Sequence, residues 1–356
     1  AVGALIFSFL YWGFGFLRMG TTGLVAQAHG RDEGDELRAL LGRGLLIASG
    51  IALLLLALQR PIEWLAFQWV EGSTEVVEQA RRYYAVRIWS APASLANYVL
   101  LGWFIGMQNA RAPLGMLLVT NGINIVLDLW FVLGLGWGVA GGASASVIAD
   151  YSGVLFGLAL AARLLKSHPG QWLWSTVVDT AQLRRLLAVN GDIFIRTVCL
   201  MFAFAFFTLQ GARQGEVILA ANAVLMNFQT FMAYALDGFA HAAEALVGRT
   251  IGRRDPGELC RVLKGTAAWS LAAALVFGGV YWVGGDAIIA LLTDIPSVRE
   301  QAGLYLPWLI AAPLVAVWSF WLDGVFIGAV RTREMRDTMI LALVGVYLPV
   351  GWLAQG

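Results

Sequence analysis

Long apolar runs are the feature that most constrains this chain. A transmembrane helix needs about 20 consecutive, mostly apolar residues, and the sequence contains ten such runs. Only 13% of the residues are charged, against about 25% in soluble domains. The runs predict an all-α polytopic membrane protein. They lie roughly at residues 2–29, 39–59, 80–107, 114–135, 139–163, 186–212, 217–247, 263–284, 301–330 and 337–355.

The orientation follows from the Lys and Arg residues in the loops. Sixteen lie on one side of the predicted membrane and five on the other. Because cytoplasmic loops carry the excess of positive charge, the loops around 31–43, 163–185, 249–264 and 331–336 are expected to be cytoplasmic. The first run then crosses from outside to inside.

The two halves of the chain are repeats of each other. Short identities recur at one constant interval in three separated blocks, so that Gly30-Arg31 matches Gly252-Arg253 and Gly102 matches Gly324. The distance along the chain between matching residues spans six runs, so both copies face the same way in the membrane. The two halves therefore form two parallel-repeat helical bundles. The interval also predicts twelve helices in the intact protein, of which this chain contains about ten and lacks the first and the last.

The polar stretch 166–185 is predicted to be a cytoplasmic linker between the halves. The expected domains are therefore an N-terminal lobe at 1–165 and a C-terminal lobe at 186–356. Segments 60–78 and 285–299 are interpreted as short interfacial segments because their charge is mixed.

Composition and motifs exclude several classes of protein. The net charge of +1 gives no reason to expect a nucleic-acid partner. The two cysteines, Cys199 and Cys260, predict neither a disulfide nor a metal site. Protease and hydrolase motifs such as His-Glu-x-x-His and Gly-x-Ser-x-Gly are missing, so we do not expect an enzyme or a bound cofactor.

Asp128 is the clearest candidate for a functional residue. It is the only charged residue in the run 114–135 and lies about 21 Å along the helix from the cytoplasmic end. Asn121 and Asn124 share its helix face. A carboxyl group in a poorly hydrated site can hold a proton and release it when water enters, as a proton-coupled transporter requires. The alternative is a neutral Asp that is hydrogen-bonded to Asn124 for packing only.

Several blocks of this sequence resemble the multidrug and toxic compound extrusion (MATE) transporters, most closely their DinF branch. The block Gly-Phe-Leu-Arg-Met-Gly-Thr-Thr-Gly-Leu at 15–24 resembles the second helix of that family. The other similar blocks lie at 90–97, 108–113, 124–128, 192–196, 235–240 and 322–329. The resemblance implies two six-helix lobes in the inner (plasma) membrane. It also implies export of amphipathic, often cationic small molecules in exchange for protons or sodium ions.

The resemblance also suggests roles for individual residues. Asn124, Asp128 and Ser146 match the proton site of the first lobe, where the family adds an acidic residue from its first helix, which this chain lacks. Asp150 either joins this network or faces a polar cavity.

The second half has a different set of candidates. Asp192, Arg196, Asp237 and Asp323 are candidates for a cation or substrate site, because some family members bind a cation between the seventh and tenth helices. A self-neutralising pair of Asp192 with Arg196 is the alternative.

Two prolines and a group of soft side chains complete the list of candidates. Pro92 and Pro313 interrupt long runs at matching places and act either as hinges for alternating access or as fixed kinks. Phe and Met side chains in the second half suit a polyspecific pocket, although such residues more often face lipid or the core. These are Met201, Phe202, Phe204, Phe206, Phe207, Met226, Phe228, Phe231 and Met232.

The sequence therefore favours a monomeric proton-coupled exporter of amphipathic or cationic compounds. A sodium-coupled exporter and a flippase for a lipid-linked substrate stay open as alternatives. A flippase would be expected to line its cavity with several cations for a phosphate, whereas the predicted intramembrane groups contain more Asp than Arg.

Overall fold

The computed structural model describes residues 2–68 and 73–353, which form helices joined by short turns, with no strand among them. A 3₁₀ turn, Ile88–Ser90, separates α5 from α6, and π-helical turns occupy Leu129–Gly134 and Ala342–Tyr347. The helices are α1 (Val2–Trp12), α2 (Phe16–Gly30), α3 (Gly34–Ala57), α4 (Gln59–Phe67), α5 (Thr74–Arg87), α6 (Ala91–Gly106), α7 (Arg111–Asp128), α8 (Gly138–Lys166), α9 (Trp174–Val177), α10 (Thr180–Arg213), α11 (Glu216–Arg253), α12 (Pro256–Leu292), α13 (Pro296–Gly328), α14 (Thr332–Leu341) and α15 (Leu348–Leu353).

Nine helical stretches within the described residues are long and apolar enough to cross a membrane. Each coincides with one of the predicted runs, so the prediction of a polytopic all-α membrane protein is confirmed. The first run, 2–29, instead forms the two shorter helices α1 and α2. Glycines flank Phe14 on both sides at this break, and glycine destabilises a helix interior. The backbone makes a tight turn there, with Phe14 N donating to Tyr11 O (2.9 Å).

The predicted interfacial segments are more helical than expected. Residues 59–67 form α4, and residues 285–292 continue α12 without a break. Helix α13 then begins at Pro296, where proline is favoured in the first turn. The first segment therefore contains a separate short helix, whereas the second covers the end of α12 and the start of α13. Part of the first segment, residues 69–72, lies outside the described residues.

Two compact units divide the chain, at residues 1–194 and 195–356. In the first unit, α6 lies at the centre and contacts α2, α3 and α8. Its side chains Leu95, Leu100, Trp103 and Phe104 are completely buried. The Trp103 indole nitrogen donates to the carbonyl of Leu37 (2.9 Å), which satisfies its only polar group.

In the second unit, α13 has the corresponding central place and contacts α11 and α12. Phe228 and Met232 of α11 are buried in a core cluster together with Tyr281 of α12. The Tyr281 hydroxyl donates to the carbonyl of Phe228 (2.6 Å). Helices α6 and α13 thus play the same structural role in the two halves of the repeat.

The repeat predicted from the sequence is present in the packing of both units. Gly102 and Gly106 of α6 lie against the backbone of α2, where a Cβ atom would overlap the carbonyls of Arg18 and Thr22. Gly324 and Gly328 of α13 lie in the same way against the carbonyls of Ala240 and Glu244 in α11. Each contact in one unit has its counterpart in the other at the repeat interval. The Gly-x-x-x-Gly spacing allows these helix backbones to approach closely.

The turns after these helices repeat as well. Asp32 and Arg254 both have a φ near +55°, and so do Gln108 and Val330. The repeat interval separates the two members of each pair. A left-handed residue at this position ends a helix, and it is unusual for a β-branched side chain such as Val330. The backbone geometry is therefore retained where the side chain does not favour it.

The boundary between the units falls at Phe194 and Ile195, within α10, and not in the predicted linker 166–185. The linker is docked on the first unit by two buried arginines. Arg38 donates to the carbonyls of Leu165 (2.7 Å) and His168 (2.9 Å), and Arg43 donates to that of Thr176 (2.8 Å). The polar composition of 166–185 therefore marked a connecting segment that packs on the first unit, and not the boundary between the compact units.

Candidate functional site

The pair of helices α7 and α8 carries the candidate coupling site of the first unit. Small residues on one face of α8, including Gly141, Ala145, Ala149 and Gly153, are buried and let α7 pack closely. Across this contact the side-chain amide of Asn124 donates to the hydroxyl of Ser146 (3.3 Å). The structure therefore brings together two of the residues predicted for this site.

Asp128 lies one helical turn beyond Asn124, at the last residue of α7. Its Oδ1 atom is buried and has no hydrogen-bond partner among the described residues. Gly142 of α8 faces this oxygen, and a Cβ atom there would lie 3.6 Å from it. A buried carboxyl oxygen without a partner is costly, so this oxygen is a ready acceptor for a proton or a cation.

A π-helical turn begins immediately after Asp128, at Leu129. Such turns widen the helix by one residue per turn and occur often at functional sites. It ends at Gly134 and is followed by Gly136 and Gly138, which both have positive φ. This turn could not be predicted from the sequence, because apolar periodicity does not distinguish a π turn from an α turn.

Asp150 lies one turn beyond Ser146 on α8 and belongs to a separate polar network. The guanidinium of Arg87 pairs with its carboxylate (2.6 Å), and the Ser94 hydroxyl donates to the same oxygen (2.9 Å). The side chains of Arg87 and Asp150 are only 14% and 16% exposed. Asp150 is therefore a charged partner of Arg87, with two hydrogen-bond donors on one oxygen.

The Arg87–Asp150 network continues to the first helix. The hydroxyl groups of Ser90 and Tyr11 are hydrogen-bonded to each other (2.8 Å), and that of Ser90 donates to the carbonyl of Arg87 (2.8 Å). Because Ser90 lies in the 3₁₀ turn between α5 and α6, the network connects α1 and α8 at this break. Sequence spacing alone could not find it, since its members come from separate helices that are far apart along the chain.

Two of the predicted candidates in the second unit form an ion pair with each other. Arg196 of α10 donates to the carboxylate of Asp323 in α13 (2.6 Å), and both side chains are largely buried. Asp237 is half-buried in the middle of α11. Asp192 is buried in the part of α10 that belongs to the first unit.

A cavity of about 640 Å³ lies within the second unit, between α10, α11, α13 and the segment around Tyr347. Its lining is mostly apolar and includes five aromatic side chains and three amides. Among the described residues that line it, none is Lys, Arg, Asp or Glu. The residues that define it chemically are Phe204, Phe207, Tyr305, Trp308, Tyr347, Gln214, Asn222 and Gln229.

Three of the nine Phe and Met residues suggested for a polyspecific pocket line this cavity: Phe204, Phe207 and Met226. Phe228 and Met232 are buried in the core of the second unit instead. The sequence analysis missed Tyr305 and Trp308, which come from α13, because nothing in the sequence relates that helix to α10.

The two predicted hinge prolines differ in their surroundings. Pro92 lies in the first turn of α6, directly after the 3₁₀ turn. Pro313 is buried inside the continuous helix α13, where proline removes one backbone hydrogen bond. A break in helix type accompanies only the first of the two.

Repeated helical units with ionisable groups inside apolar spans define this chain as a polytopic helical membrane protein of transporter architecture. The MatE family model matches residues 1–130 and 193–353. DNA damage-inducible protein F of Escherichia coli is 46% identical over 358 residues, which cover all of this chain and 78% of that protein. The probable multidrug resistance protein NorM of Rhizobium meliloti is 24% identical over 98% of this chain and 75% of its own length.

Solved MATE structures have the same fold. The Vibrio cholerae transporter VcmN in its bent form superimposes with a TM-score of 0.86 over 99% of this chain and 81% of that one, at 19% identity. A MATE protein in complex with MaD3S gives a TM-score of 0.86 at 18% identity, over 96% of this chain and 78% of that one. The chain belongs to the MatE family of multidrug transporters, and it is a multi-pass protein of the inner membrane. Ser146, Asp150 and Asp192 lie outside the segments that the family model matches.

Proposed function

We propose that this protein is a secondary active antiporter that exports amphipathic cationic compounds in exchange for protons by alternating access. Membership of the MatE family supports export of small molecules. In this proposal, protons are exchanged at Asp128 in the first unit, and substrate binds in the aromatic cavity of the second unit.

The observation that carries the proton assignment is the buried Oδ1 atom of Asp128, which has no hydrogen-bond partner among the described residues. An ionised carboxylate is unfavourable in such surroundings, whereas a protonated carboxyl group is tolerated. Entry of water from one side would reverse this preference. The hydrogen-bonded side chains of Asn124 and Ser146 form a polar surface near Asp128. Two further carboxylates, those of Asp150 and Asp323, each pair with an arginine instead.

The aromatic cavity supports the choice of substrate. Ring faces of Trp308, Phe204 and Phe207 attract organic cations within about 6 Å, and adaptable apolar walls accept several shapes. A volume of about 640 Å³ suits a drug-sized molecule. The lining contains no cation that would bind a phosphate, which favours an exporter over a flippase.

The test is efflux of a fluorescent cationic dye from liposomes that contain the purified protein. We would impose a pH gradient and, separately, a sodium gradient on the wild type and on Asp128→Asn. Asp294→Asn serves as a matched control because its carboxylate is fully exposed in a loop. The pH gradient alone is expected to drive efflux by the wild type and the control. We expect Asp128→Asn to lose at least about 90% of the efflux that the pH gradient drives, because an essential proton carrier is removed.

Efflux that follows the sodium gradient would instead assign a sodium-coupled exporter. If Asp128→Asn keeps wild-type efflux, the carboxyl group is structural and the proposed proton site is wrong. Scrambling of a labelled lipid without any dye efflux would contradict the substrate class and favour a flippase.

A further inference from the structure

A groove of about 460 Å³ lies between the start of α7 and the end of α8, on the side of the first unit that the loop charges predict to be cytoplasmic. Two arginines stand at its edge: Arg111 is the first residue of α7, and Arg163 lies in the last turn of α8. The floor is apolar and includes Phe104, Phe156 and Leu160. The groove therefore combines cationic and apolar surface in one concave site.

Neither arginine is neutralised by a residue that the structure describes. Within the described residues, Arg111 and Arg163 make no ion pair and no hydrogen bond, and both are exposed. Three acidic residues around the start of α3 have other partners. Glu33 pairs with Arg31, Glu36 pairs with Arg43, and Asp35 accepts from the backbone of Gln171.

Exposed apolar surface continues along α7 beyond the residues that line the groove. Leu114, Leu117 and Leu118 follow Arg111 on this helix, and each exposes more than half of its surface. Opposite Phe156 lies Gly115, where the missing side chain keeps the groove open: a Cβ atom there would come within 3.3 Å of the Phe156 ring. A bound molecule with an anionic head and an apolar tail would fill both parts of the site.

We infer that this groove binds an anionic phospholipid of the cytoplasmic leaflet. Arg111 and Arg163 bind its phosphate, for which the guanidinium fork is well suited, and one acyl chain packs on Phe156 and Leu160. Basic pockets between transmembrane helices on the cytoplasmic side bind lipid headgroups in this way. The inference is independent of the transported substrate, because the site lies at the membrane surface of the first unit.

Native mass spectrometry of the purified protein in detergent tests this assignment. Phosphatidylglycerol and phosphatidylethanolamine are titrated separately, and the dissociation constant of the first bound lipid is measured for each. We expect the wild type to prefer phosphatidylglycerol. Each arginine near an anionic lipid contributes about 1 kcal/mol, so the double variant Arg111→Gln/Arg163→Gln is expected to bind phosphatidylglycerol roughly 25-fold more weakly.

Two further variants distinguish the effect of the arginine charges on lipid binding from the effect of the groove's shape. Arg333→Gln removes the exposed arginine at the position equivalent to Arg111 in the repeat and is expected to leave lipid binding unchanged. Leu160→Trp fills the floor without altering the charge and is expected to weaken binding of both lipids at this site.

Three results would overturn the inference: equal affinity of the wild type for the two lipids, unchanged binding by the double variant, or equal loss in Arg333→Gln. Displacement of phosphatidylglycerol by millimolar inorganic phosphate alone would assign the arginines to a soluble anion and would also overturn it. Because all three arginines are exposed, we expect the variants to fold, and their thermal unfolding in detergent verifies this.

Discussion

The two units share a backbone plan but differ in their chemistry. Both place a central helix, α6 or α13, against a neighbour through two glycines, and both end the same helices with left-handed residues. The first unit fills the spaces around its central helix with polar networks at Asn124–Ser146 and Arg87–Asp150. The second unit contains a cavity with five aromatic side chains in its lining and the ion pair Arg196–Asp323.

This difference shows which parts of a repeat are constrained by packing and which are free to diverge. Glycine contacts are retained because any side chain would push the backbones apart. Side chains around the cavities carry no such constraint. These side chains could therefore diverge between the two units.

The largest expected effect is the loss of stability when a side chain is introduced at the glycine contacts. This loss should be equal in the two units. Gly102→Leu and Gly324→Leu each place a side chain inside a backbone contact. We expect each to cost at least about 3 kcal/mol and to abolish monodisperse folded protein in size-exclusion chromatography. Gly122→Leu and Gly238→Leu are matched controls, because nothing lies within 4 Å of a Cβ atom at either position. If either Gly102→Leu or Gly324→Leu elutes as monodisperse folded protein, the two units are not structurally equivalent.

The next largest effect should separate the two ion pairs. Asp150→Asn and Asp323→Asn each leave a largely buried arginine without its counter-charge. Removing one partner of a fully buried pair costs about 3–5 kcal/mol, and the residual exposure of these side chains reduces this to about 2 kcal/mol. We expect the larger loss for Asp150→Asn, because Ser94 also donates to Asp150.

Thermal unfolding in mixed micelles measures both losses of stability. The double variant Arg196→Met/Asp323→Leu should recover most of the loss, since an apolar pair of similar volume replaces the ions well. A larger loss for Asp323→Asn than for Asp150→Asn would contradict the more extensive network in the first unit.

The smallest expected effect is on the affinity of the cavity for a dye. It tests whether substrate binds in the second unit. Trp308→Ala removes an aromatic face from its lining and should weaken binding of a cationic dye about tenfold, since a cation–π contact contributes about 1–2 kcal/mol. Trp282→Ala is the matched control, because Trp282 lies in the same unit, is 75% exposed and does not line the cavity. Fluorescence anisotropy in detergent measures the affinity. If Trp282→Ala and Trp308→Ala have the same affinity as the wild type, the cavity is not the dye site.

Most of the transmembrane architecture could be predicted from the sequence. Apolar runs marked nine helical stretches because a lipid-facing helix must satisfy every backbone hydrogen bond internally and present apolar side chains. The prediction was less accurate where the chain meets water. There, polarity in 285–299 and 166–185 was interpreted as separate segments, although the first continues α12 and the second is docked on the first unit by Arg38 and Arg43.

The candidate site was predictable only in part. Asp128 and Asn124 could be found because charged and amide residues are rare within an apolar run. The partner of Asp150 could not be found, since Arg87 lies on a different helix, far away along the chain, and either residue is compatible with several neighbours. The proposed role of Asp128 in coupling stays a prediction until the efflux measurement is made.

The sequence by itself determined the membrane-spanning helices, the internal repeat and the membership of a transporter family, because these depend on local composition and on identities along the chain. Only the tertiary structure decided which charges neutralise each other, where the π turn follows Asp128, and which aromatic residues enclose a cavity. These features depend on which helix faces meet, and helices that are all apolar carry little information in their sequences about which neighbours they will contact.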